Sequence, residues 1–260
     1  MTGGELARAW DDAADGYERY FVPRFAPWVD AAVGVLTRAR LPEGPILVPC
    51  CGTFPELPAL VGAYPEREIV GIDLSPGMIA LARERAAQWP NVRAVVGDAA
   101  TLDPRWHGAC AGVVSVFGLQ QLPDPAAALD NWVGALRPGG LLSVMFWPPE
   151  VEQDGPFALM RRVLNRHRPP GDDSWADRLG DTEPVSFPMS HADAAAVWRA
   201  MAESGPARAF ANARGEEFMR AVEREFLELA PIGPWHHRPT ASLKVVRKPP
   251  AMNGVMNGPA

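Results

Sequence analysis

A strand–helix–strand segment with an acid at the end of each strand constrains the fold most. Ile69–Ile72 is an apolar run that ends at Asp73, and Val92–Val96 is a second run followed by Asp98. The pair Ser75-Pro76 predicts the start of a helix between them, because serine caps helices and proline favours their first position. Ligands of open parallel sheets bind beyond the carboxyl ends of the strands. Both acids are therefore expected to face one ligand rich in hydrogen-bond donors, such as a ribose diol with an amino-purine edge.

The same alternation of strands and helices extends through the middle of the chain. Strands are predicted at Ile46–Val48, Ala111–Phe117 and Leu141–Phe146, and helices at Pro55–Ala63 and Pro125–Leu136. Strands that alternate with helices specify a parallel, doubly wound sheet with right-handed crossovers. The fold class is thus predicted to be α/β.

The two ends of the chain have a different pattern. Residues 1–9 are expected to be frayed, and residues 10–40 to be helical in pieces broken by Pro23 and Pro27. Beyond residue 150 the sequence predicts helices near 157–166, 192–203 and 216–229, and short strands at 184–189 and 243–246. The predicted organisation is a helical lid at 1–40, an α/β core at 41–150, a cap with a closing strand at 151–248 and a disordered tail at 249–260.

Composition excludes several classes of function. The 260 residues include 25 basic and 31 acidic side chains, a net charge of −6, which argues against nucleic acid as the main partner. No run approaches the roughly 18 apolar residues of a membrane helix, so no membrane partner is expected. Three cysteines without CxxC spacing and no convincing metal-ligand spacing predict reduced thiols, no metal and a cytoplasmic protein.

The loop after the first predicted strand contains a modified glycine motif. Gly52 precedes Asp73 by 21 positions, close to the ~20 expected between such a loop and a ribose-binding acid. Here the chain resembles the class I S-adenosylmethionine (SAM)-dependent methyltransferases, in their small-molecule branch. The family motif is approximately acid-hydrophobic-Gly-x-Gly-x-Gly. Val48 stands in place of the acid, and Cys50 and Phe54 stand in place of the first and third glycines.

Other motifs match the family better. They are Asp73, Ser75–Met78, Gly97–Ala99, Leu122–Asp124 and Leu136–Gly140, and the resemblance covers about residues 44–147. It implies a Rossmann-like, seven-stranded and mostly parallel sheet with an antiparallel final strand, SAM as cofactor and S-adenosylhomocysteine as product. The cofactor contacts that it implies are Pro49, Cys50, Cys51, Gly52, Asp73, Leu74, Met78, Asp98, Ala99, Val116 and Phe117.

The altered loop leaves two alternatives open. A side chain in place of glycine restricts positive φ and close approach of the backbone. Either the loop is reshaped and still binds SAM, or the affinity is reduced. Cys50 and Cys51 are interpreted as small buried residues rather than as a metal or redox site, since no third ligand lies at suitable spacing.

A second set of residues is predicted to contact the methyl acceptor. It comprises Tyr17, Tyr20, Phe21, Gln120, Gln121 and Trp147. For the two tyrosines, packing of an amphipathic helix is an equal alternative, and for Trp147 so is a rigid exit turn. Glutamine cannot act as a general base. The pair His236-His237 is a conceivable base, although a solvent loop is favoured there, and no catalytic residue is assigned.

The predicted function is transfer of a methyl group from SAM to a small, apolar or aromatic acceptor in secondary metabolism, by a monomer or homodimer. The main alternative keeps the fold and catalyses cyclisation or another reaction without methyl transfer, since fold does not imply function. A third possibility is a non-catalytic scaffold whose lid binds a partner protein. Turnover of SAM distinguishes the first from the others.

Overall fold

The computed structural model describes residues 3–167 and 172–250, so the predicted tail lies outside the described residues from 251 onward. The strands of its main sheet are β1 (Ile46–Pro49), β2 (Ile69–Asp73), β3 (Val92–Val96), β4 (Cys110–Val116), β5 (Leu136–Phe146), β6 (Glu183–Ser186) and β9 (Thr240–Arg247). These seven strands lie in the order β3-β2-β1-β4-β5-β9-β6. β1–β5 are mutually parallel, and β9 is antiparallel to β5 and to β6. The prediction of a mostly parallel seven-stranded sheet is confirmed.

A separate two-stranded sheet and a series of helices complete the described part. The small sheet pairs β7 (Met189–His191) with β8 (Trp235–His237). The α-helices are α1 (Gly3–Asp11), α2 (Ala14–Thr37), α3 (Leu57–Ala63), α4 (Pro76–Ala86), α5 (Pro125–Ala135), α6 (Pro156–His167), α7 (Ala194–Ala202), α8 (Gly205–Arg214) and α9 (Glu216–Leu229). Within the described ranges, no helix has both the length and the apolar character needed to cross a bilayer.

The core lies on both faces of the main sheet. On one face, α2, α3 and α4 bury a cluster that includes Trp28, Phe54 and Ile79. On the other face, α5 buries Trp132 against a second cluster of strand residues. With both faces covered, the carboxyl edge of the parallel strands is the natural place for a ligand.

The N-terminal helices differ from the sequence-based prediction. From Gly3 onward the segment predicted to be frayed is α1, because Trp10 packs on Gly205 of α8 and Asp11 binds the start of α4. α2 continues through Pro23 and Pro27. Each interior proline costs roughly 3 kcal/mol, but one face of α2 is buried along most of its length, and burying each large apolar side chain contributes roughly 1.5–3 kcal/mol.

The helices α6–α9 are here called the cap, and three of them, α6, α7 and α9, form a third cluster that includes Val163, Val222 and Phe226. The sequence predicted α6, α7 and α9 but not α8, whose Gly205-Pro206 start reads as a turn. It also predicted one strand at 184–189 where the structure has β6 and β7, and it missed β8. Short strands like these carry too few residues for a periodic signal.

Candidate functional site

Two adjoining cavities lie at the carboxyl edge of the main sheet. The larger, of about 650 Å³, is lined by α1 and by the ends of β1–β4, and we call it the core cavity. The smaller, of about 310 Å³, lies between α2 and the cap, and we call it the cap cavity. Among the residues that the structure describes, four line both cavities: Trp10, Tyr17, Phe117 and Gln121. A group bound in one cavity therefore meets a group bound in the other at this junction.

Asp73 organises the wall of the core cavity. The backbone N–H of Gly52 donates to its Oδ2 at 2.9 Å, and that of Ser75 donates to its Oδ1 at 3.0 Å. Burial raises the pKa of Asp73, and these two hydrogen bonds oppose that rise. A carboxylate has about four acceptor sites, so Asp73 keeps some of its acceptor capacity. Asp73 can therefore accept hydrogen bonds from the hydroxyl groups of a ligand.

The start of α4 connects this wall to the N-terminal helix. The Ser75 hydroxyl accepts from the N–H of Met78 at 3.1 Å and donates to Asp11 Oδ1 at 2.6 Å. The N–H of Gly77 donates to the same oxygen at 2.8 Å. A carboxylate at a helix N-terminus is stabilised by the helix dipole. Asp11 thus attaches α1, which covers the core cavity, to the helix that forms its wall.

Asp98 is the second acid of the core cavity, as the sequence predicted from its position after β3. Its exposed carboxylate accepts from the N–H of Ala100 at 2.8 Å. The indole of Trp132 donates to the carbonyl of Ala99 at 2.7 Å and fixes this turn against the core. Asp73, Asp98 and Ala99 all line one cavity.

The loop after β1 has three positive φ angles, a backbone conformation that glycine adopts most readily. The φ angles are 54° at Cys50, 51° at Gly52 and 67° at Phe54, all in the left-handed region. A non-glycine residue in this region costs roughly 1–2 kcal/mol. The surroundings hold the two side chains there: Phe54 is fully buried, and Cys50 packs on Gly118. Such strain clusters at functional sites.

The two cysteines face different directions. Cys50 lines the core cavity, whereas buried Cys51 packs on Gly71 of β2. Burial raises the pKa of both thiols well above the ordinary value, and Asp73 adds to the rise. Both side chains are therefore protonated thiols at neutral pH, in agreement with a packing role.

Phe117 forms the junction between the two cavities. Its backbone has a φ of 59°, and its ring stacks on Trp147 with 4.1 Å between centroids and 5° between planes. The ring of Phe25 packs on its edge at 4.7 Å. Gln120 donates from Nε2 to the Phe117 carbonyl at 2.6 Å, which holds the turn after β4. This turn fixes one side of the path between the cavities.

The cap cavity is apolar. Its polar lining groups among the described residues are Tyr17, Gln120, Gln121 and Ser204, and none of the lining residues is charged. The cap contributes large apolar side chains, among them Phe157, Met160, Trp198, Met201 and Phe210. A small apolar molecule fits such a cavity, since specific sites combine apolar walls with a few polar groups.

Most of the predicted site residues reach one of the two cavities. The core cavity is lined by Cys50, Gly52, Asp73, Leu74, Met78, Asp98, Ala99, Val116 and Phe117. Pro49 and Cys51 lie behind its wall in the buried interior. The cap cavity is lined by Tyr17, Phe21, Gln120, Gln121 and Trp147. Tyr20 lies outside both.

Tyr20 instead belongs to a chain of hydrogen bonds that runs from α2 through the small sheet to Glu152, ahead of α6. Its hydroxyl lies 2.7 Å from His191 Nδ1, His191 Nε2 lies 2.9 Å from His237 Nε2, and His237 Nδ1 lies 2.6 Å from Glu152 Oε2. Burial, followed by the charge of His237, lowers the pKa of His191 to about 4. Neutral His191 can accept a hydrogen bond from the Tyr20 hydroxyl at Nδ1 and donate one from Nε2 to His237. His237 can then donate from Nδ1 to Glu152, so each hydrogen bond of the chain has one donor and one acceptor.

This chain of hydrogen bonds contacts the wall of the cap cavity through Phe157, which lines the cavity. The ring of Phe157 packs on the imidazole of His237 with 5.3 Å between ring centroids. The backbone N–H of Phe157 donates to Glu152 Oε1 at 2.9 Å. His237 is buried in β8, so the predicted solvent loop is wrong for this residue, whereas His236 is exposed. Neither histidine lines a cavity.

Sequence reasoning missed two groups of site residues. Trp10 lines both cavities, and its place in an aromatic N-terminal segment was the available signal. The second group comprises the cap residues Trp198, which is buried, and Met201, which is partly buried, in the amphipathic helix α7. That periodicity predicts a buried face but not which cavity the face meets.

The structure combines a Rossmann-like fold with two adjoining cavities that offer space for two ligands side by side. A family model described as a methyltransferase domain matches residues 46–140. A trans-aconitate 2-methyltransferase of Methylobacterium radiotolerans is 35% identical over 199 residues, which are 73% of this chain and 71% of the relative. One of Variovorax paradoxus is 30% identical over 175 residues, 67% of this chain; the chain spans only 61% of that relative.

The solved structures agree on the fold. The YcgJ protein of Bacillus subtilis superposes with a TM-score of 0.53 and 14% identity, over 84% of this chain and 98% of that protein. The chain belongs to the class I SAM-dependent methyltransferases.

Proposed function

We propose that the chain transfers a methyl group from SAM, bound in the core cavity, to a small apolar or aromatic acceptor bound in the cap cavity. The observation that carries the proposal is the junction at which the two cavities share Trp10, Tyr17, Phe117 and Gln121. Two reactants held on either side of such a junction react as neighbours, which lowers the entropic part of the barrier. A role in secondary metabolism, a cytoplasmic location and a monomeric or homodimeric state remain predictions.

The residues of the core cavity fit SAM. Asp73 keeps free acceptor sites for the ribose hydroxyls, and Asp98 offers an acceptor for the adenine amino group. Leu74 and Met78 supply apolar surface for the adenine ring. When bound, SAM supplies a methyl group that its positively charged sulfur has already activated.

The lining of the cap cavity supports an apolar or aromatic acceptor. Trans-aconitate, named in the curated relatives, carries several carboxylates. Burying such charges without partners is strongly unfavourable, and the described residues of the cap cavity provide no cation to pair with them. We therefore propose that this chain and those relatives differ in acceptor.

The chain's own residues position the reactants rather than exchange protons. Burial is the largest cause of the raised pKa of Tyr17, so its hydroxyl remains protonated at neutral pH. Gln120 and Gln121 can donate and accept hydrogen bonds but cannot remove a proton. An acceptor that ionises readily, or a soft nucleophile such as a thiolate, needs no base. The apolar walls exclude water from the junction.

Methyl transfer is tested with SAM labelled in its methyl group. The purified chain is incubated with a panel of phenols, thiols and quinols and, separately, with trans-aconitate. We expect label in at least one apolar acceptor, stoichiometric formation of S-adenosylhomocysteine and no label in trans-aconitate. The Asp73→Ala variant serves as the control for the cofactor site. Methylation of trans-aconitate alone would contradict the proposed acceptor class, and acceptor conversion without consumption of SAM would favour the non-methylating alternative.

A further inference from the structure

Glu56 is a buried carboxyl group, and one of its two oxygens has no hydrogen-bond partner among the described residues. Glu56 follows the loop after β1 and precedes α3, and only 1% of its surface is exposed. Its Oε2 is buried and has no hydrogen-bond partner among the described residues. The guanidinium of Arg85 pairs instead with Glu18 and bonds Thr53. A buried carboxylate without a counter-charge is costly, so a proton on Glu56 is favoured.

Glu56 lines neither cavity, but it interacts electrostatically with residues that do. Among the charged groups that raise the pKa of the Tyr17 hydroxyl, Glu56 acts most strongly, ahead of Asp73 and Glu18. It also raises the pKa of the Cys50 thiol, and Cys50 lines the core cavity. Two lining residues on opposite elements therefore experience the charge of Glu56. A cation bound at the junction would experience it as well.

We infer that Glu56 distinguishes the cofactor from its product by ionising when a cation enters the core cavity and remaining protonated when the sulfur is neutral. The inference rests on the proposed function. SAM carries a positive charge on its sulfur, and S-adenosylhomocysteine does not. The two ligands otherwise make the same contacts, so a buried charge near the sulfur favours SAM. Glu56 acts through its electric field, not as a catalytic residue.

The surroundings of Glu56 shift its pKa toward neutral pH. Burial raises its pKa to about 8 and Asp73 adds to the rise, whereas a hydrogen bond with its own backbone, followed by the charge of Arg85, opposes it. The charged or titratable groups that interact with Glu56 are Tyr17 on α2, Cys50 and Cys51 in the loop, Asp73 on β2 and Arg85 on α4. The phenol and thiol pKa values are raised further from neutrality by burial, so these groups keep their protons.

The sign of the effect follows from this arrangement. Below pH 8 the empty protein holds a proton on Glu56 that the SAM complex releases. SAM affinity therefore rises with pH, whereas S-adenosylhomocysteine affinity lacks this component. The amino group of the ligand also titrates, and a variant that cannot ionise at position 56 reports that contribution separately.

Calorimetry of both ligands between pH 6.5 and 8.5 tests the inference on the full chain. The proteins are the wild type, the isosteric Glu56→Gln and, as a matched control, Glu66→Gln, which removes an exposed carboxylate. In the wild type and in Glu66→Gln, we expect the ratio of SAM to S-adenosylhomocysteine affinity to rise about tenfold across this range through proton linkage. In Glu56→Gln the ratio is lower at pH 8.5, and any remaining rise is due to the ligand.

Two further measurements keep the result interpretable. Glu56→Asp retains a carboxyl group and is expected to retain the pH-dependent ratio, and thermal melting checks that each variant is folded. Titration of the wild type at pH 7 in buffers of different ionisation enthalpy should show more proton release on SAM binding than Glu56→Gln shows. Identical pH profiles in the wild type and Glu56→Gln overturn the inference and leave the proposed function standing. Absence of SAM binding in every folded protein overturns both.

Discussion

Gly118, at the end of β4, packs directly against Cys50, in the loop after β1. A Cβ atom added to Gly118 would lie 2.1 Å from the Cβ of Cys50, far inside van der Waals contact. The two residues follow neighbouring parallel strands, and both line the core cavity. The side chain that replaces the first glycine of the motif is thus accommodated by a glycine on the adjacent strand.

This contact predicts a coupled effect of two substitutions. Gly118→Ala should lower the free energy of unfolding by about 1–3 kcal/mol, the usual cost of overpacking. In a Cys50→Gly background the cost should largely vanish, because the nearest remaining atom of residue 50 is its Cα, at 3.5 Å. Chemical denaturation of the wild type, both single variants and the double variant measures the coupling. An equal cost of Gly118→Ala in both backgrounds would show that the contact is unimportant.

Most residues of the core cavity could be predicted from the sequence because their signals are local. The two acids stand at or just after the ends of β2 and β3, and α4 begins at Pro76 as predicted from Ser75 and Pro76. The left-handed φ of Cys50 and Phe54 could not be predicted, since single-residue preferences assign that region to glycine. Tertiary packing overrides the preference at both positions.

The cap half depends on contacts between residues distant in sequence. Tyr20 and His191 are 171 positions apart, and His237 and Glu152 are 85 apart. No spacing rule connects such residues. Helical periodicity identified the apolar faces of α6, α7 and α9. Their place in the wall of a cavity depends on how the cap packs on the N-terminal helices, where α8 contacts α1 and α7 contacts α2.

Tyr17 and Tyr20 should respond differently to loss of the hydroxyl group. Tyr17→Phe is expected to lower the turnover number about threefold to tenfold, the equivalent of one hydrogen bond, with little change in SAM affinity. Tyr20→Phe should leave turnover nearly unchanged, because Tyr20 lies outside both cavities. Steady-state kinetics with the acceptor found in the labelling screen provides the comparison. Equal kinetics for Tyr17→Phe and the wild type would assign Tyr17 to packing alone.

The lowered pKa of His191 predicts a loss of stability in mild acid. An unfolded histidine takes up a proton near pH 6.5, whereas folded His191 does so only near pH 4. The contribution of His191 to the free energy of unfolding is therefore fully present above pH 6.5 and decreases as the pH falls from 6.5 to about 4. Melting temperatures between pH 7.5 and 4.5 should decline less for His191→Gln than for the wild type. His236→Gln, which removes an exposed histidine, should show the same decline in melting temperature as the wild type. A smaller decline in His236→Gln as well would contradict the assignment of the acid sensitivity to His191.

Asp11 should hold α1 over the core cavity. Asp11→Ala removes the acceptor of two hydrogen bonds at the start of α4, from Ser75 and Gly77. We expect faster proteolytic cleavage within α1 and faster dissociation of bound SAM, while the melting temperature of the core changes little. Asp12→Ala, at the neighbouring position, is the control. An unchanged cleavage rate in Asp11→Ala would mean that α1 is held by its contact with α8 alone.

Calorimetric titration of SAM into the purified chain and into Asp73→Ala tests the central claim, that the core cavity binds SAM through this carboxylate. The wild type should bind one SAM per chain. Loss of the charged acceptor, at roughly 1.5–3 kcal/mol, should weaken binding by about 10- to 150-fold. Asp177→Ala, on an exposed segment, should bind as the wild type does. A folded wild type that binds no SAM, or an Asp73→Ala variant with wild-type affinity, would contradict the claim.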